Sequence, residues 1–252
     1  MKDRLFNIKE FINKTGKVTI KELACAFPDV SEMTLRRDLE RLEKNNEILR
    51  VTGGAMSIDS VMRTSDSEVS KRIGFNADEK LEIAEKAIGL ISRGSCIFID
   101  GGSTTTYFAR ALPDEKYYIL TNSVVVAETA LHKIMPTVAL LGGDIRKRNF
   151  ITVGETCLEH VRSVNIQTAI MTATGFIKET GAFTCGDQSE AQVKMEVIKK
   201  ADQVIMLLDT SKVNKKTPYT FCTLCDVDCM VTDSKFSKEL KTQIEQKGIK
   251  VY

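Results

Sequence analysis

Residues 31–39, Ser31-Glu32-Met33-Thr34-Leu35-Arg36-Arg37-Asp38-Leu39, decide how the N-terminal part of the chain folds. Leu35, Leu39 and Leu42 recur at i, i+4 and i+7, which predicts a helix with one apolar face turned to a core. Ser31 is placed to cap the unpaired N–H groups of the first turn. Around that stripe Met33, Arg37 and Lys44 point away from the core, with Thr34, Arg36 and Arg41 on the flanks. Standing alone, such a helix reads as a solvated surface helix. Two adjacent arginines in its first turns also suit a helix whose N-terminal side chains meet base edges in a DNA groove. The flanking sequence decides between the two.

Upstream, Leu5, Ile8, Phe11 and Ile12 repeat at helical spacing, and Ile20, Leu23, Ala24 and Phe27 do so again. Thr15-Gly16-Lys17 separates these two helices, and Pro28-Asp29-Val30 forms the turn before Ser31. Downstream, Ile48 to Met56 predicts a short strand, a turn at Gly53-Gly54 and a returning strand. Three helices followed by a glycine-tipped ribbon describe a winged helix-turn-helix. In that arrangement the third helix enters the major groove, and the ribbon, with Arg50, Gly53 and Gly54, reaches the sugar-phosphate backbone.

Arg4, Ile8 and Ile12, then Ser31-x-x-Thr34-Leu35-Arg36-Arg37-Asp38-Leu39, then Arg50-x-x-Gly53-Gly54-Ala55 resemble the DNA-binding signature of DeoR-type bacterial transcription regulators. The resemblance fixes residue types over about fifty positions, which makes it specific. It departs at two points. The turn Phe27-Pro28-Asp29-Val30 is one residue longer than the family's short Gly-Val turn, and Thr52 stands where the family commonly has His.

A length of 252 residues allows one large or two ordinary domains. With 42% apolar and 28% charged residues the composition is that of a soluble globular protein. No apolar run is long enough to span a bilayer and the first residues are charged, so a cytoplasmic protein without membrane contact is expected. Residues 1–57 hold 11 Lys and Arg against 9 Asp and Glu, so the whole net charge of +2 sits there and the remainder balances. DNA affinity must then come from a local patch rather than a global field. Seven cysteines, an odd number, point to reduced thiols. Cys222-x-x-Cys225-x-x-x-Cys229 has the look of a metal site. It offers only three ligands, though, with His132 and His160 as the sole imidazoles, and Cys229 leads into the apolar run Met230-Val231. Core thiols are expected, with no metal and no cofactor.

Residues 58–77 are polar, serine-rich and weakly periodic, and read as a linker between a domain at 1–57 and one at 78–252. Beyond them a helical stretch through Lys80, Ile83, Ala84 and Ala87 leads to the buried-strand pattern Ser95 to Asp100. Similar apolar runs follow at 118–120, 138–141, 169–171 and 204–208, with amphipathic helices between most of them. Alternating strands and helices predict an α/β domain with a mainly parallel sheet. Ligands bind such sheets beyond the carboxyl ends of the strands. There the sequence places Asp100-Gly101-Gly102-Ser103-Thr104-Thr105, Thr121-Asn122-Ser123, Gly142-Gly143-Asp144 and Thr174-Gly175. Glycines let backbone approach an anion, and a following helix start supplies N–H groups, so these ends together predict a pocket for a small phosphorylated, hydroxylated ligand.

The DeoR resemblance extends over this half through Asp100-Gly-Gly-Ser-Thr-Thr, Thr121-Asn122-Ser123, Leu141-Gly142-Gly143, Glu190-Ala191-x-Val193-Lys194 and Asp209-x-x-Lys212. The family's C-terminal half is similar to ribose-5-phosphate isomerase and CoA transferase folds. The resemblance implies an effector domain for a phosphorylated sugar, with Ser103, Thr104 and Thr105 on the phosphate. It sets Asp100, Asn122, Gly143 and Gly175 around the sugar, and makes Lys80, Lys194 and Lys212 the cationic candidates. Isomerisation needs a general base beside the carbon that loses its proton. Where related isomerases carry an acid, this chain has Phe176, and nothing in the sequence fixes Asp187 or Glu190 in the pocket. The expectation is therefore not an enzyme but a regulator, most naturally a repressor, with a sugar-phosphate isomerase-type enzyme or an activator of the same architecture as the alternatives. Its partners would be operator double-stranded DNA and a phosphorylated sugar, and its state a homodimer or homotetramer.

Overall fold

The computed structural model describes residues 2–44, 47–51, 53–57 and 72–252, excepting the side chains of Lys2, Asp3, Lys17, Lys44 and Leu49. Thr52 and residues 58–71, most of the stretch read as linker, lie outside the described residues. The chain divides into two compact units, Met1–Asp66 and Ser67–Tyr252.

The first unit runs α1 (Lys2–Thr15), β1 (Lys17–Thr19), α2 (Ile20–Ala26), α3 (Glu32–Lys44), β2 (Ile48–Val51) and β3 (Gly54–Ser57). Its small sheet has the antiparallel order β1-β3-β2. The three helices and the β2–β3 ribbon follow the sequence pattern, but β1 does not. The break at Thr15-Gly16-Lys17 is used to pair Val18 with Ala55 rather than left as a loop. Thr19 then starts α2 with a reciprocal cap: Glu22 N–H donates to Thr19 Oγ1 and Thr19 N–H to Glu22 Oε2. One core holds the unit together. Ile8 and Ile12 of α1, Leu23 of α2, and Leu35, Leu39 and Leu42 of α3 are all nearly or wholly buried in it. Each such side chain contributes roughly 1.5–3 kcal/mol of burial. Phe27, in the longer turn before α3, packs edge-on against Phe11 at 5.8 Å and anchors that turn.

The second unit is α/β. Its main elements are α4 (Ala77–Ile88), β4 (Cys96–Ile99), α5 (Ser103–Ala111), β5 (Tyr118–Thr121), α6 (Val124–Leu131) and β6 (Thr137–Leu140). There follow the hairpin β7 (Asp144–Arg146) and β8 (Ile151–Val153), α7 (Glu155–Ser163), β9 (Ile166–Thr172), β10 (Gly175–Ile177), β11 (Ala182–Cys185), α8 (Gln188–Lys200) and β12 (Ala201–Leu208). The chain ends with β13 (Tyr219–Thr223), β14 (Cys229–Thr232), α9 (Lys238–Glu245) and β15 (Lys250–Val251). Seven strands form one parallel sheet in the order β15-β14-β12-β9-β4-β5-β6, while β10-β11-β13 make a small antiparallel sheet. Successive residues of β4 feed opposite faces: Phe98 joins one apolar cluster, Ile97 and Ile99 the other. From β4 the chain winds outward to β5 and β6. From β9, its neighbour on the other side, it winds the opposite way to β12, β14 and β15. The crevice between the ends of β4 and β9 is therefore the topological switch point, where open α/β sheets receive ligands.

Candidate functional site

On α3, Ser31 caps the helix as its sequence position suggests. Its Oγ accepts Thr34 N–H at 3.3 Å and its carbonyl accepts Leu35 N–H at 3.0 Å. With the leucine stripe buried, the opposite face is forced outward: Met33 is 64% exposed, and Arg36, Arg37 and Arg41 are exposed. Among the described residues Arg36 and Arg37 have no hydrogen-bond or ion-pair partner. Asp38 turns the other way. It is buried, and both its oxygens are held by the Arg4 guanidinium of α1, at 2.8 and 3.2 Å. That two-point contact fixes the rotation of α3 about its axis, and with it the outward aim of the arginines. Arg50 of β2 folds back onto α3, 3.2 Å from Glu40 and 3.7 Å from Glu43. Gly53 takes a positive φ of 83° with open space around it, while Gly54 lies hard against β1. Lys44 belongs to α3, but its side chain lies outside the described residues.

At the switch point of the second unit, α5 begins on Gly102 without a side-chain cap. Its first helical bond runs from Thr106 N–H to Gly102 O, and the Thr105 and Thr106 hydroxyls donate to the same carbonyl. The amides of the first turn are left without intrahelical acceptors, at the positive end of the helix dipole. Gly101, Gly102, Ser103 and Thr104 line a narrow cleft there, of about 20 Å³. Thr172, Ala173 and Thr174 line it from the end of β9, Glu190 and Lys194 from α8, and Lys212 from the 3-10 turn after β12, with Arg72 and Asn149 completing the wall. A Cβ on Gly101 would meet Ile151 at 2.2 Å and one on Gly102 would meet Thr172 at 2.6 Å, so the loop tolerates no side chain at either position.

A chain of charges runs beneath the cleft. Lys194, 2% exposed, holds the Asp100 carboxylate, donates to Thr172 O at 3.0 Å and lies 3.6 Å from Glu190. Asp100 also accepts the N–H groups of Gly101 and Thr172, tying the ends of β4 and β9 together. Burial works against the Lys194 ammonium, but Asp100 and then Glu190 outweigh it and hold its pKa above the ordinary value. Burial lifts Glu190 above the usual carboxylate range, against the pull of Lys194. Glu190 accepts the Asn149 amide N–H at 2.9 Å, and Asn149 Oδ1 accepts Arg72 Nη2 at 2.8 Å. Lys212 stands 3.9 Å from Asp209 Oδ2, a buried oxygen with no hydrogen-bond partner among the described residues, and burial lowers the lysine's pKa. Lys80, also buried, donates to the carbonyls of Arg72 and Phe75, and burial pulls its pKa down to about 8.

Of the positions singled out in the sequence, the cleft gathers Gly101, Gly102, Ser103, Thr104, Glu190, Lys194 and Lys212. Asp100 supports it from below. Thr105 turns its hydroxyl to Gly102 O, Thr121 donates to Ile99 O, and Asn122 donates to Thr152 O while its own Oδ1 has no hydrogen-bond partner among the described residues. Gly143, at φ 129°, passes under Val153 O, and Gly175 is pressed against Lys215 O. These five residues, with Lys80 and Gly142, are not among the described lining. Arg72 and Asn149 carry no sequence signal, since their bond joins residues 77 apart. The strand end Thr174-Gly175 did point toward Thr172–Thr174. A wider depression of about 650 Å³ beside α9 is lined by Val213, Leu224, Leu240 and Ile244 together with polar side chains, and its charged members Lys178, Glu179, Glu239 and Lys247 are all exposed. Cys222 and Cys229 are buried, which pushes the Cys229 thiol to about 11 and Cys222 higher still, while Cys225 is exposed. Among the described residues no three His, Cys, Asp or Glu side chains gather as metal ligands. No helix among them is long and apolar enough to cross a membrane.

Residues 4–61 match the DeoR-like helix-turn-helix domain, and residues 75–234 match the DeoR C terminal sensor domain. The glycerol-3-phosphate regulon repressor of Escherichia coli (strain K12) is 32% identical over 228 residues, covering 90% of this chain and 88% of that protein. The HTH-type transcriptional repressor GlcR of Bacillus subtilis (strain 168) is 29% identical over 249 residues, covering 99% and 95%. Among solved structures, ribose 5-phosphate isomerase A of Methanocaldococcus jannaschii aligns over 56% of each chain, at a TM-score of 0.42 and 21% identity. With its helix-turn-helix module and its sensor domain both matched, the chain belongs to the DeoR family of DNA-binding transcriptional regulators.

Proposed function

We propose that the protein is a repressor released from its operator by a phosphorylated sugar or related metabolite, acting in the cytoplasm as a homodimer or homotetramer. The observation that carries this reading is the uncapped start of α5 at the switch point, with buried Ser103 and Thr104 beside it and Lys212 across the cleft. Unpaired N–H groups and the dipole's positive end suit a phosphate group. Asp100, Lys194 and Glu190 act as the frame that keeps the loop in shape. One relative is named as the repressor of a glycerol-3-phosphate regulon, which is consistent with a small phosphorylated effector. On the DNA side, Ser31, Met33, Thr34, Arg36, Arg37, Arg41 and Lys44 belong to the groove-reading surface, with Arg50, Gly53 and Gly54 toward the backbone. Release is a population shift: the ligand binds better to the arrangement that presents the recognition helices badly.

A thermal-shift screen of sugar phosphates, followed by operator titration, tests this. A ligand of the native state raises the melting temperature and lowers operator affinity. Thr104→Val, nearly isosteric at a buried position, is expected to abolish ligand-induced release while leaving ligand-free operator binding intact. Release with unchanged ligand dependence in that variant would place the phosphate elsewhere.

A further inference from the structure

We propose that two copies of this chain join at the open edge of the parallel sheet, their β6 strands pairing antiparallel about a twofold axis at Ala139. This rests on the homo-oligomer reading given above and names the surface that carries it.

The sheet has two outer edges, and they are built differently. β15 is two residues long and carries the exposed Lys250, a short charged strand of the kind that discourages pairing. β6 is Thr137-Val138-Ala139-Leu140, without a charge, and among the described residues only β5 pairs with it. Thr137 N–H donates to Tyr117 O and Leu141 N–H to Thr121 O, both on the β5 side. Backbone groups alternate in direction along a strand, so those of Val138 and Leu140 point to the open side. Pro136, which has no N–H, ends the open run at its start. With the axis at Ala139, Val138 of each copy lies opposite Leu140 of the other. Each such pair exchanges both of its N–H to carbonyl bonds, and the edge is closed.

Apolar surface gathers at the same edge. Ile134 is 89% exposed and Leu131 69%. With Met135 and Leu140 they leave on the order of 450 Å² uncovered, the size at which an apolar patch marks an interaction site. α6 packs against β6 and has Glu128 as its one charged residue, the composition of a helix covered on more than one side. The paired backbone and the flank of α6 bring the buried area toward the roughly 800 Å² per partner of a stable interface. The occupant is a second copy because such an edge is complementary to itself under a twofold rotation. Each open donor meets an acceptor, and each apolar flank meets its own equivalent.

The test uses the full chain, with sedimentation equilibrium for self-association and residue-resolved amide hydrogen exchange for β6. The wild type is expected to dimerise, with slow exchange at Val138 and Leu140. Leu140→Lys and Ile134→Lys, both at exposed positions, should each weaken dimerisation at least about tenfold by bringing like charges and desolvated ammonium groups to the edge. In those variants Val138 and Leu140 should exchange fast, while the Ala139 amide, turned toward β5, stays slow and reports an intact sheet. If the wild type dimerises with fast exchange at Val138 and Leu140, or if both variants dimerise as it does, the inference falls and the homo-oligomer reading stands. If the wild type is a monomer at about 100 µM, that reading falls and takes the inference with it. Slow exchange at both residues in a monomer would assign the edge to a segment of the same chain and overturn the pairing.

Discussion

Arg36, Arg37 and Asp38 are consecutive charged residues on one helix, yet they have opposite fates. Asp38 is drawn inward by Arg4, and the two arginines are left facing solvent without partners among the described residues. Arg37→Ala is therefore expected to weaken operator binding by about 1–3 kcal/mol at fixed salt if Arg37 reads a base, with little change in melting temperature. Unchanged operator affinity would remove it from that role. The adjacent wing glycines separate two kinds of constraint. A Cβ on Gly54 would lie 2.0 Å from Val18 O and 2.8 Å from Thr19 Cα, so β1 must move. A Cβ on Gly53 meets nothing, and only its φ of 83° resists substitution. Gly54→Ala is expected to destabilise the module by about 1–3 kcal/mol. Gly53→Ala should cost only the left-handed backbone penalty of roughly 1–2 kcal/mol. Urea unfolding of both variants checks the order, and a larger loss at Gly53 would contradict it. Residue types were readable at this scale but partners were not: Asp38 finds Arg4 across 34 residues and Asp100 finds Lys194 across 94.

Elements whose period is strong are legible in the sequence. The leucine stripe of α3 and the apolar strands of the parallel sheet follow from side-chain spacing alone. The short strands β1, β7, β8 and β10 were not, because three residues carry no measurable period and their pairing is decided by the partner strand. The same limit hid half of the cleft. Its glycine-rich strand end is a local pattern, whereas Arg72 sits in residues that read as linker and meets Asn149 only through the fold. Lys80 gives this level a test. Its folded pKa is lowered to about 8 from 10.5 by burial, so between those values the unfolded chain binds a proton that the folded chain does not. Stability from this group is then absent below about pH 8 and grows as pH rises toward 10.5. The melting temperature of the wild type relative to Lys80→Met should be flat from pH 6 to about 8 and rise from there to about 10. A difference that shrinks over the upper range would show that the lysine is not desolvated in the folded state.

For the whole molecule, charge and symmetry bear on the same question. The net charge of +2 lies within residues 1–57 and the remainder balances, so a single module has little long-range pull on DNA. In the proposed homo-oligomer, specific affinity would depend on placing two recognition helices at once, each in a major groove on the same face of the duplex. If the protein acts as the proposed homo-oligomer, inserting about 5 base pairs between operator half-sites rotates one of them to the far face. Affinity should drop close to that of an isolated half-site, and an insertion of about 10 base pairs should recover part of it by restoring the helical phase. Fluorescence anisotropy at constant salt measures all three duplexes on one scale. Equal affinity for the native and the 5-base-pair spacing would mean that each module binds alone. A ligand acting on quaternary arrangement would then have nothing to uncouple, and effector control would have to operate within one protomer.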